Sequence, residues 1–308
     1  MFEARLAKKT FSLLFYKHCN IYKLSSMKNT RRNFIQKAAL GITGVAGAPV
    51  LSNAGSFKNT LFKKESKLPV GIAGYTFVKF YVDKAIEMMK RVNIQNLSLK
   101  DMHLPLNSDN EKVKEVLAKF SEANIKIYTV GVIYMKTKEE VDTAFAYAKK
   151  VGVNMIVGVP TYELLDYTEQ KVKEMDMKIA IHNHGPEDKL YPGPQDVYEH
   201  IKNRDNRMGL CLDIGHATRA GASLEKAIKD YKDRLFDLHI KDVTAATKDA
   251  KAIEIGRGVI DFNSLINALN KINYKGVCSI EFEKDMTDPL PGIAESIGFF
   301  KGVMASVG

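Results

Sequence analysis

Short runs of apolar and β-branched residues alternate with longer amphipathic segments from Leu68 to the end of the chain. The short runs predict eight strands, at residues 69–76, 94–100, 125–132, 154–159, 178–183, 208–214, 235–241 and 276–283. The amphipathic segments predict helices near residues 81–92, 109–123, 138–151, 163–176, 194–203, 223–232, 262–272 and 290–306. Each predicted strand is therefore followed by a helix.

Eight strand-helix units in about 240 residues predict a single-domain α/β fold, the (β/α)8 TIM barrel, over residues 68–308. An open doubly wound sheet also alternates strands and helices, but it usually has a glycine-rich phosphate loop after its first strand. The first predicted strand ends instead in Ala73-Gly74-Tyr75-Thr76-Phe77, which lacks such a loop. Capping boxes mark two of the predicted helix starts, Ser108-x-x-Glu111 and Thr137-x-x-Glu140.

The first part of the chain has the features of a twin-arginine export signal. Thr30-Arg31-Arg32-Asn33-Phe34-Ile35 precedes a mildly apolar stretch of small residues at 38–51, and Ser52-Asn53-Ala54 follows. We therefore expect residues 1–54 to be a leader, with Met27 as an alternative start, and residues 55–67 to be a linker. This predicts a periplasmic or secreted protein. An arginine pair in a basic, disordered tail is the alternative interpretation.

The leader accounts for most of the positive charge. The whole chain carries +10, and residues 1–54, with nine Lys or Arg and one Glu, contribute +8 of it. The remaining +2 on residues 55–308 creates no broad positive field, so no nucleic-acid partner is expected. The apolar stretch at 38–51 is shorter than the ~20 residues of a membrane span, so no stable span is expected. Cys211 and Cys278 lie in apolar runs and are expected to be buried thiols.

Side chains that bind metal ions are concentrated at the ends of the last four predicted strands. These segments read Ile181-His182-Asn183-His184, Leu212-Asp213-Ile214-Gly215-His216, Leu238-His239-Ile240-Lys241-Asp242 and Ile280-Glu281-Phe282-Glu283. Side chains at the carboxyl ends of barrel strands point into a common pocket, and residues two apart share a face of the strand. Polar groups there must be hydrogen-bonded, hydrated or coordinated. A mixed nitrogen and oxygen set from four adjacent strands suits Mn²⁺, Zn²⁺ or a similar divalent ion such as Mg²⁺ or Co²⁺.

Over residues 69–307 the chain resembles the xylose isomerase-like superfamily of sugar phosphate isomerases and epimerases. The resemblance lies in Asp-Ile-Gly-His at 213–216, His-Ile-Lys-Asp at 239–242 and Ser-Ile-Glu-Phe-Glu at 279–283. It implies that Asp213, His239 and Glu281 bind a divalent metal and that His216 contacts the substrate. His182 takes the fourth ligand position, where the family usually has a glutamate, and His184 competes with it. The alternative is a structural ion pair between Asp213 and His239.

Other polar residues near the strand ends are candidates for proton transfer or substrate contact. The catalytic candidates are His184, Lys100 and Glu283. The substrate-binding candidates are His216, Lys241, His103, Arg219 and Arg257. Arg219 and Arg257 lie in loops after the sixth and seventh predicted strands, where they could equally be solvated loop charges.

A divalent ion at these residues would polarise the carbonyl group of a keto sugar and acidify the adjacent C–H bond. After a base removes that proton, the enediolate is reprotonated or expels a group from the next carbon. In the epimerases of this superfamily, the glutamate that His182 replaces often acts as an acid/base group, so its absence argues against ordinary two-base epimerisation. Predicted export and the lack of a phosphate-binding loop favour an unphosphorylated sugar.

The leading hypothesis is therefore a 3-keto-glycoside 1,2-lyase or hydratase, a function found among exported relatives of this superfamily. The alternative is a sugar isomerase or epimerase that works through an enediolate. A metal-dependent endonuclease would need more ligands and a basic groove. A non-catalytic sugar-binding barrel would need aromatic platforms, and the chain has no Trp. A homo-oligomer is left open.

Overall fold

The computed structural model describes residues 68–307, and within them eight parallel strands form a closed barrel. The strands in chain order are β1 Val70–Ala73, β2 Asn96–Leu99, β3 Lys126–Met135, β4 Met155–Pro160, β5 Lys178–His182, β6 Met208–Asp213, β7 Leu235–Ile240, β8 Asp242–Val243, β9 Ala252–Ile253 and β10 Cys278–Ile280. Strands β1 to β7 pair in sequence order, and β10 closes the barrel between β7 and β1. This confirms the predicted TIM barrel.

Helices cover the outside of the barrel. They are α1 Val82–Arg91, α2 Asn110–Glu122, α3 Lys138–Val151, α4 Leu165–Met175, α5 Pro194–Ile201, α6 Ile214–Arg219, α7 Leu224–Asp230, α8 Phe262–Lys271 and α9 Leu290–Val307. Short 3-10 turns lie at Gly74–Phe77 and Tyr162–Leu164. The strands are buried on both faces, as β6 illustrates along its whole length, because side chains fill the barrel on one side and helices pack on the other.

The predicted elements match the observed ones to within a few residues, with informative exceptions. The first strand stops at Ala73 because residues 74–77 form a 3-10 turn. The last strand stops at Ile280, so Glu281 and Glu283 lie in the segment that follows it. Helix α6 and the hairpin of β8 and β9 were not predicted, because both are too short to show a periodic pattern.

One of the two predicted capping boxes is wrong by a residue. Asp109, not Ser108, caps α2 and accepts a hydrogen bond from the Lys112 backbone N–H at 2.7 Å. Thr137 does cap α3, where its hydroxyl oxygen accepts from the backbone N–H of Glu140 at 3.2 Å. An aspartate is as good an N-cap as a serine, so the sequence alone could not separate the two neighbours.

The predicted leader and linker, residues 1–67, lie outside the described residues, and their roles stay predictions. Among residues 68–307, none of the helices combines the length and the apolar character that crossing a membrane requires.

Candidate metal centre and active site

Four side chains from neighbouring strands meet at the carboxyl end of the barrel. His182 ends β5, Asp213 ends β6, His239 lies in β7, and Glu281 directly follows β10. The parallel register places Asp213 beside His239, so these ends lie at one level. One ligand atom from each residue lies within 4.8 Å of the others, and all four residues are buried. The predicted ligands are therefore brought together, and their metal-binding role remains to be tested.

The closest contacts in this cluster join imidazole nitrogens to one another and to carboxylate oxygens. His182 Nε2 lies 3.0 Å from His239 Nδ1 and 3.6 Å from Asp213 Oδ2. His239 Nδ1 lies 3.2 Å from Glu281 Oε2. Within residues 68–307, Asp213 Oδ2 is fully buried and accepts no well-aligned hydrogen bond. A buried acceptor without a well-aligned hydrogen bond is costly, so this oxygen and the imidazole nitrogens fit a divalent cation.

The backbone of Asp213 is fixed so that one carboxylate oxygen stays available. Asn183 accepts from the Asp213 backbone N–H at 3.0 Å and donates to the Asp213 carbonyl oxygen at 3.1 Å. Asp213 also caps α6, because its Oδ1 accepts from the His216 backbone N–H at 2.7 Å. These bonds occupy Oδ1 and the main chain, and they leave Oδ2 directed at the cluster.

Lys241 lies among the carboxylates rather than at the substrate cavity. Its Nζ is 3.2 Å from Asp213 Oδ2, 2.9 Å from Glu281 Oε2 and 3.0 Å from Glu283 Oε2. Gly215 makes this placement possible, since a Cβ there would come within 2.3 Å of Lys241 Cγ. Lys241 therefore contacts the carboxylates in this structure, and its contact with substrate stays a prediction. Three carboxylates and one ammonium group leave a net negative charge, which a divalent cation would neutralise.

The charged groups of this cluster lower the pKa values of some of its members and leave those of others raised. Burial alone would raise the pKa of Asp213 and of Glu281, but Lys241 reverses the effect and holds both pKa values far below the ordinary range. Burial raises the pKa of Glu283, which Lys241 only partly offsets. Burial also disfavours a charged His239, but the neighbouring Cys211 and Glu281 outweigh it and raise the pKa of His239.

A second group, His182, Cys211 and His239, could also surround an ion. Burial raises the pKa of the Cys211 thiol to about 12, so this sulfur keeps its proton at neutral pH. The thiolate, not the thiol, is the metal ligand. The set with Asp213 and Glu281 offers four ligand atoms rather than three, and both carboxylates are already ionised, so it fits a divalent metal better.

A cavity of about 300 Å³ opens beside the cluster, and its size suits a ligand as small as one sugar ring. Of the predicted site residues, it is lined by Lys100, His182, His184, His216, Glu281 and Glu283. Sequence reasoning missed three further lining residues, Tyr75, Val132 and Tyr134.

Two predicted substrate contacts lie elsewhere. His103 is buried against the backbone of Phe77 and Phe80, where burial lowers its pKa. Arg257 points to the exposed surface and pairs with Glu295 of α9 at 2.8 Å. Neither lines the cavity: His103 lies in the loop after β2 and Arg257 in the loop after β9.

Arg219 acts on the cavity through His216. Its guanidinium pairs with Glu187, and its Nε donates to the Lys248 carbonyl oxygen at 3.1 Å. Its NH1 lies 3.2 Å from His216 Nδ1. A guanidinium can only donate, so His216 Nδ1 must accept and Nε2 must carry the ring proton. Burial lowers the pKa of His216 to about 4, so the neutral ring offers an N–H donor to a substrate oxygen.

Tyr75 and Tyr134 place two partly exposed aromatic rings on the cavity wall. Tyr75 is held by a rigid turn, since a Cβ on Gly74 would come within 2.7 Å of the Ser98 carbonyl oxygen. Next to it, Thr76 Oγ1 accepts from the Phe282 backbone N–H at 3.0 Å. Aromatic rings pack on the apolar faces of ligands. Aromatic residues at the first and third strand ends are the signal that could have identified them.

A second polar layer lies one step below the cluster inside the barrel. The Tyr128 hydroxyl lies 3.0 Å from Asp237 Oδ2 and 2.6 Å from Ser279 Oγ. Asp237 and Ser279 each precede a cluster residue by two positions, so they share its face of the strand. Burial raises the pKa of Asp237 to about 7.

Comparisons with known proteins agree with this architecture. An inosose dehydratase from Histophilus somni strain 129Pt is 28% identical over 144 residues, which cover 41% of this chain and 46% of that protein. The chain thus spans less than half the length of the curated dehydratases it matches.

Two solved structures show the same fold. The 3-keto-D-glucoside 4-epimerase from E. coli, in its apo form, matches 77% of this chain and 100% of its own, with a TM-score of 0.63 and 16% identity. The IolI protein, solved with a zinc atom, matches 78% of this chain and 99% of its own, with a TM-score of 0.66 and 18% identity. The model of one family, described as xylose isomerase-like TIM barrel, matches residues 73–303. The chain therefore belongs to the xylose isomerase-like TIM barrel family.

Proposed function

We propose that the protein is a metal-dependent enzyme that cleaves or hydrates an unphosphorylated 3-keto-glycoside by elimination or addition across C1 and C2. The observation that carries the proposal is the set of groups that line the cavity: a single carboxylate outside the proposed ligand set faces imidazole and phenol groups. Of the two carboxylates that line the cavity, Glu281 belongs to the proposed ligand set, which leaves Glu283, paired with Lys241, as the candidate base. The remaining polar groups include the ring nitrogens of His184 and His216 and the hydroxyl of Tyr134.

The metal would be held by His182, Asp213, His239 and Glu281. When bound, it supplies Lewis-acid polarisation of the C3 carbonyl group. Zinc or manganese suits the two nitrogen and two carboxylate ligands.

Glu283 fits the role of the base that removes the proton at C2. It lines the cavity, and burial raises its pKa towards neutral pH, where proton transfer is most effective. Lys241, 3.0 Å away, favours the carboxylate form and keeps the side chain in place. The enolate then expels the group on C1, which completes a 1,2-elimination, and addition of water to the same unsaturated ketone is the reverse chemistry.

His216 fits the role of a positioning donor for a substrate oxygen. Its Nε2–H is fixed by Arg219, and the ring stays neutral because burial lowers its pKa to about 4. Lys100 is a weaker candidate for proton transfer, since its Nζ already donates to the Val132 carbonyl oxygen at 2.8 Å and pairs with Asp101.

Isomerisation or epimerisation of a free ketose is the second candidate. The structural likeness to a protein named 3-keto-D-glucoside 4-epimerase favours it. Two-base epimerisation needs a base on each face of the reacting carbon. His182 ends β5 at the position where the resemblance to the superfamily implies a glutamate. The curated relative named inosose dehydratase favours elimination chemistry instead.

Export of the enzyme is part of the same proposal. The arginine pair Arg31-Arg32 and the stretch that follows fit a twin-arginine leader that would bring the folded barrel to the periplasm or outside the cell. A free glycoside is a more available substrate there than a sugar phosphate. Fusion of residues 1–58 to a reporter that is active only after export tests this directly, with Arg31→Lys and Arg32→Lys together as the control.

The reaction is tested by incubating zinc-loaded, manganese-loaded and metal-stripped protein with a methyl 3-keto-glucoside in D₂O and following it by NMR. Metal-dependent release of methanol, or addition of water to the unsaturated ketone, is expected. A new stereoisomer without bond cleavage would replace the proposal with epimerisation. No change with any metal would reject the substrate class.

A further inference from the structure

A chain of hydrogen bonds leads from the four clustered side chains of the proposed metal site to the cavity wall. His182 Nδ1 lies 3.2 Å from His184 Nδ1, and His184 Nε2 lies 2.8 Å from the Tyr134 hydroxyl. The rings also contact one another, with centroids 4.3 Å apart for the two histidines and 5.3 Å apart for His184 and Tyr134. His182 turns its other nitrogen, Nε2, towards Asp213 and His239. The three residues form a continuous path.

Metal binding at one end would fix where every proton on this path lies. A neutral imidazole has one N–H and one lone pair. If His182 Nε2 gives its lone pair to a cation, the ring proton must be on Nδ1. That N–H points at His184 Nδ1, 3.2 Å away, so His184 Nδ1 must be an acceptor. The ring proton of His184 is then on Nε2.

The last contact follows from the same argument. His184 Nε2–H donates to the oxygen of Tyr134, 2.8 Å away. The Tyr134 hydroxyl proton is thereby free to point elsewhere, and Tyr134 lines the cavity with nearly half of its surface exposed, at 46%. His184 has no lone pair left in this arrangement, because both of its ring nitrogens are engaged. This excludes it as the base in the metal-loaded protein and makes Tyr134 the donor that faces the substrate.

We propose that Tyr134, held by the path through His184 to the metal ligand His182, donates the proton to the departing oxygen in the elimination. This inference rests on the proposed lyase reaction. The C2–H bond breaks and its proton goes to Glu283, a double bond forms between C1 and C2, and the C1–O bond breaks with its electron pair on oxygen. The Tyr134 hydroxyl proton moves to that oxygen, and the alcohol leaves.

Burial raises the pKa of Tyr134 and so disfavours the phenolate, and the bond from His184 offsets part of this cost. The phenolate accepts the His184 Nε2–H bond, and hydrogen bonds to a charged acceptor are stronger than neutral ones. Proton exchange with water returns one proton to Tyr134 and removes one from Glu283, so the cycle balances. Addition of water to the unsaturated ketone uses the same groups in reverse.

The positions of the ring protons are tested without any turnover. In zinc-loaded protein with ¹⁵N-labelled histidine, long-range ¹H–¹⁵N spectra are expected to show His182 protonated at Nδ1 and His184 protonated at Nε2. His184 protonated at Nδ1 would overturn the inference and leave the proposed metal site and lyase reaction intact. His184→Gln and His182→Gln assign the signals.

The donor role is tested by the dependence on the leaving group. Tyr134→Phe is expected to slow release of methanol from a methyl 3-keto-glucoside by about 100-fold or more, the usual contribution of a general acid. Release of 4-nitrophenol, which needs little help from a proton, is expected to slow by less than about 10-fold. Tyr167→Phe, whose hydroxyl bonds Asp142 on the outer surface, is the matched control and should change neither rate.

Two results would count against the inference in different ways. An equal loss of rate for both leaving groups in Tyr134→Phe would mean a structural role and would overturn it. An absence of cleavage by the wild-type protein with both compounds would overturn the proposed function and, with it, the donor role.

Discussion

Lys241 Nζ and Glu283 Oε2 lie 3.0 Å apart, so the charge of the lysine acts directly on the proposed base. Burial raises the pKa of Glu283, and Lys241 opposes that rise. The acidic limb of the pH–rate profile should therefore report the pKa of this carboxyl group, with activity lost as the pH falls below it.

Replacing Lys241 by methionine removes the opposing charge and keeps most of the side-chain volume. The pKa of Glu283 is then expected to rise further, and the acidic limb of kcat/KM should move up by about one pH unit. Lys226→Met, which removes an exposed lysine paired with Asp230, is the control and should leave the profile in place. An unmoved limb in Lys241→Met would exclude Glu283 as the base.

Asp213→Asn tests the cluster itself. The amide keeps the shape of the side chain, but it loses the charge on Oδ2 and weakens the set of four ligands. Affinity for Zn²⁺, measured by titration calorimetry on metal-stripped protein, is expected to fall by about 100-fold or more, since even partners of ligands contribute 10- to 100-fold. Asp176→Asn removes an exposed carboxylate paired with Arg207 and serves as the control. Unchanged affinity and stoichiometry in Asp213→Asn would refute the ligand assignment.

Metal binding should release a proton from His239. Glu281, 3.2 Å from Nδ1, raises the pKa of His239 and favours the protonated ring in the metal-free protein, whereas a ligand must be neutral. Affinity for Zn²⁺ is therefore expected to increase with pH until that pKa is passed. Calorimetry at pH 7 in buffers of different ionisation enthalpy should give about one proton released per metal ion. Binding without proton release would show that His239 is neutral before the metal arrives.

The raised pKa of Asp237 predicts that the free energy of unfolding changes with pH even in the metal-free protein. Its pKa is raised to about 7 in the folded protein, so the folded state holds a proton that the unfolded state has already lost. The contribution of protonated Asp237 to the free energy of unfolding is fully present below about pH 4 and is lost as the pH rises to about 7. Between pH 5 and pH 7 the free energy of unfolding of wild type should fall by roughly 2 kcal/mol relative to Asp237→Asn.

Urea denaturation of metal-stripped wild type and Asp237→Asn at both pH values measures this difference directly. Asp205→Asn is a useful comparison because Arg207 lowers the pKa of the partly buried Asp205 carboxyl, so its contribution to stability should be constant in this pH range. A difference that does not change between pH 5 and pH 7 would place the pKa of Asp237 near its ordinary value.

That the polar side chains at the strand ends lie close together was predictable from two rules. Side chains alternate along a strand, and parallel neighbours in a barrel end at one level. These rules place His182, Asp213, His239 and Glu281 among the polar residues at the strand ends. The resemblance to the superfamily then singles out Asp213, His239 and Glu281 as ligands. The barrel itself followed from eight repeated units, which leave few other folds.

The residues that were missed or misplaced depend on geometry that no periodic pattern encodes. Tyr134 lies at the end of β3, which continues to Met135 through an irregular register against β4, whereas the predicted strand stops at 132. His103 and Arg257 lie in loops, where the direction of a side chain depends on local turns. Lys241 was placed on the correct face, but its contacts with three carboxylates were not predicted.

The barrel strands are paired in chain order, and this divides the rim into two arcs. The arc from β5 through β10 contributes the four clustered ligands, and the arc from β1 to β3 contributes Tyr75, Lys100 and Tyr134. The two arcs are joined where His184 Nε2 lies 2.8 Å from the Tyr134 hydroxyl. With Tyr134 as the proposed proton donor, a lineage that keeps this contact and the ionic arc would retain the chemistry, and it could vary Tyr75 to accept other substrates.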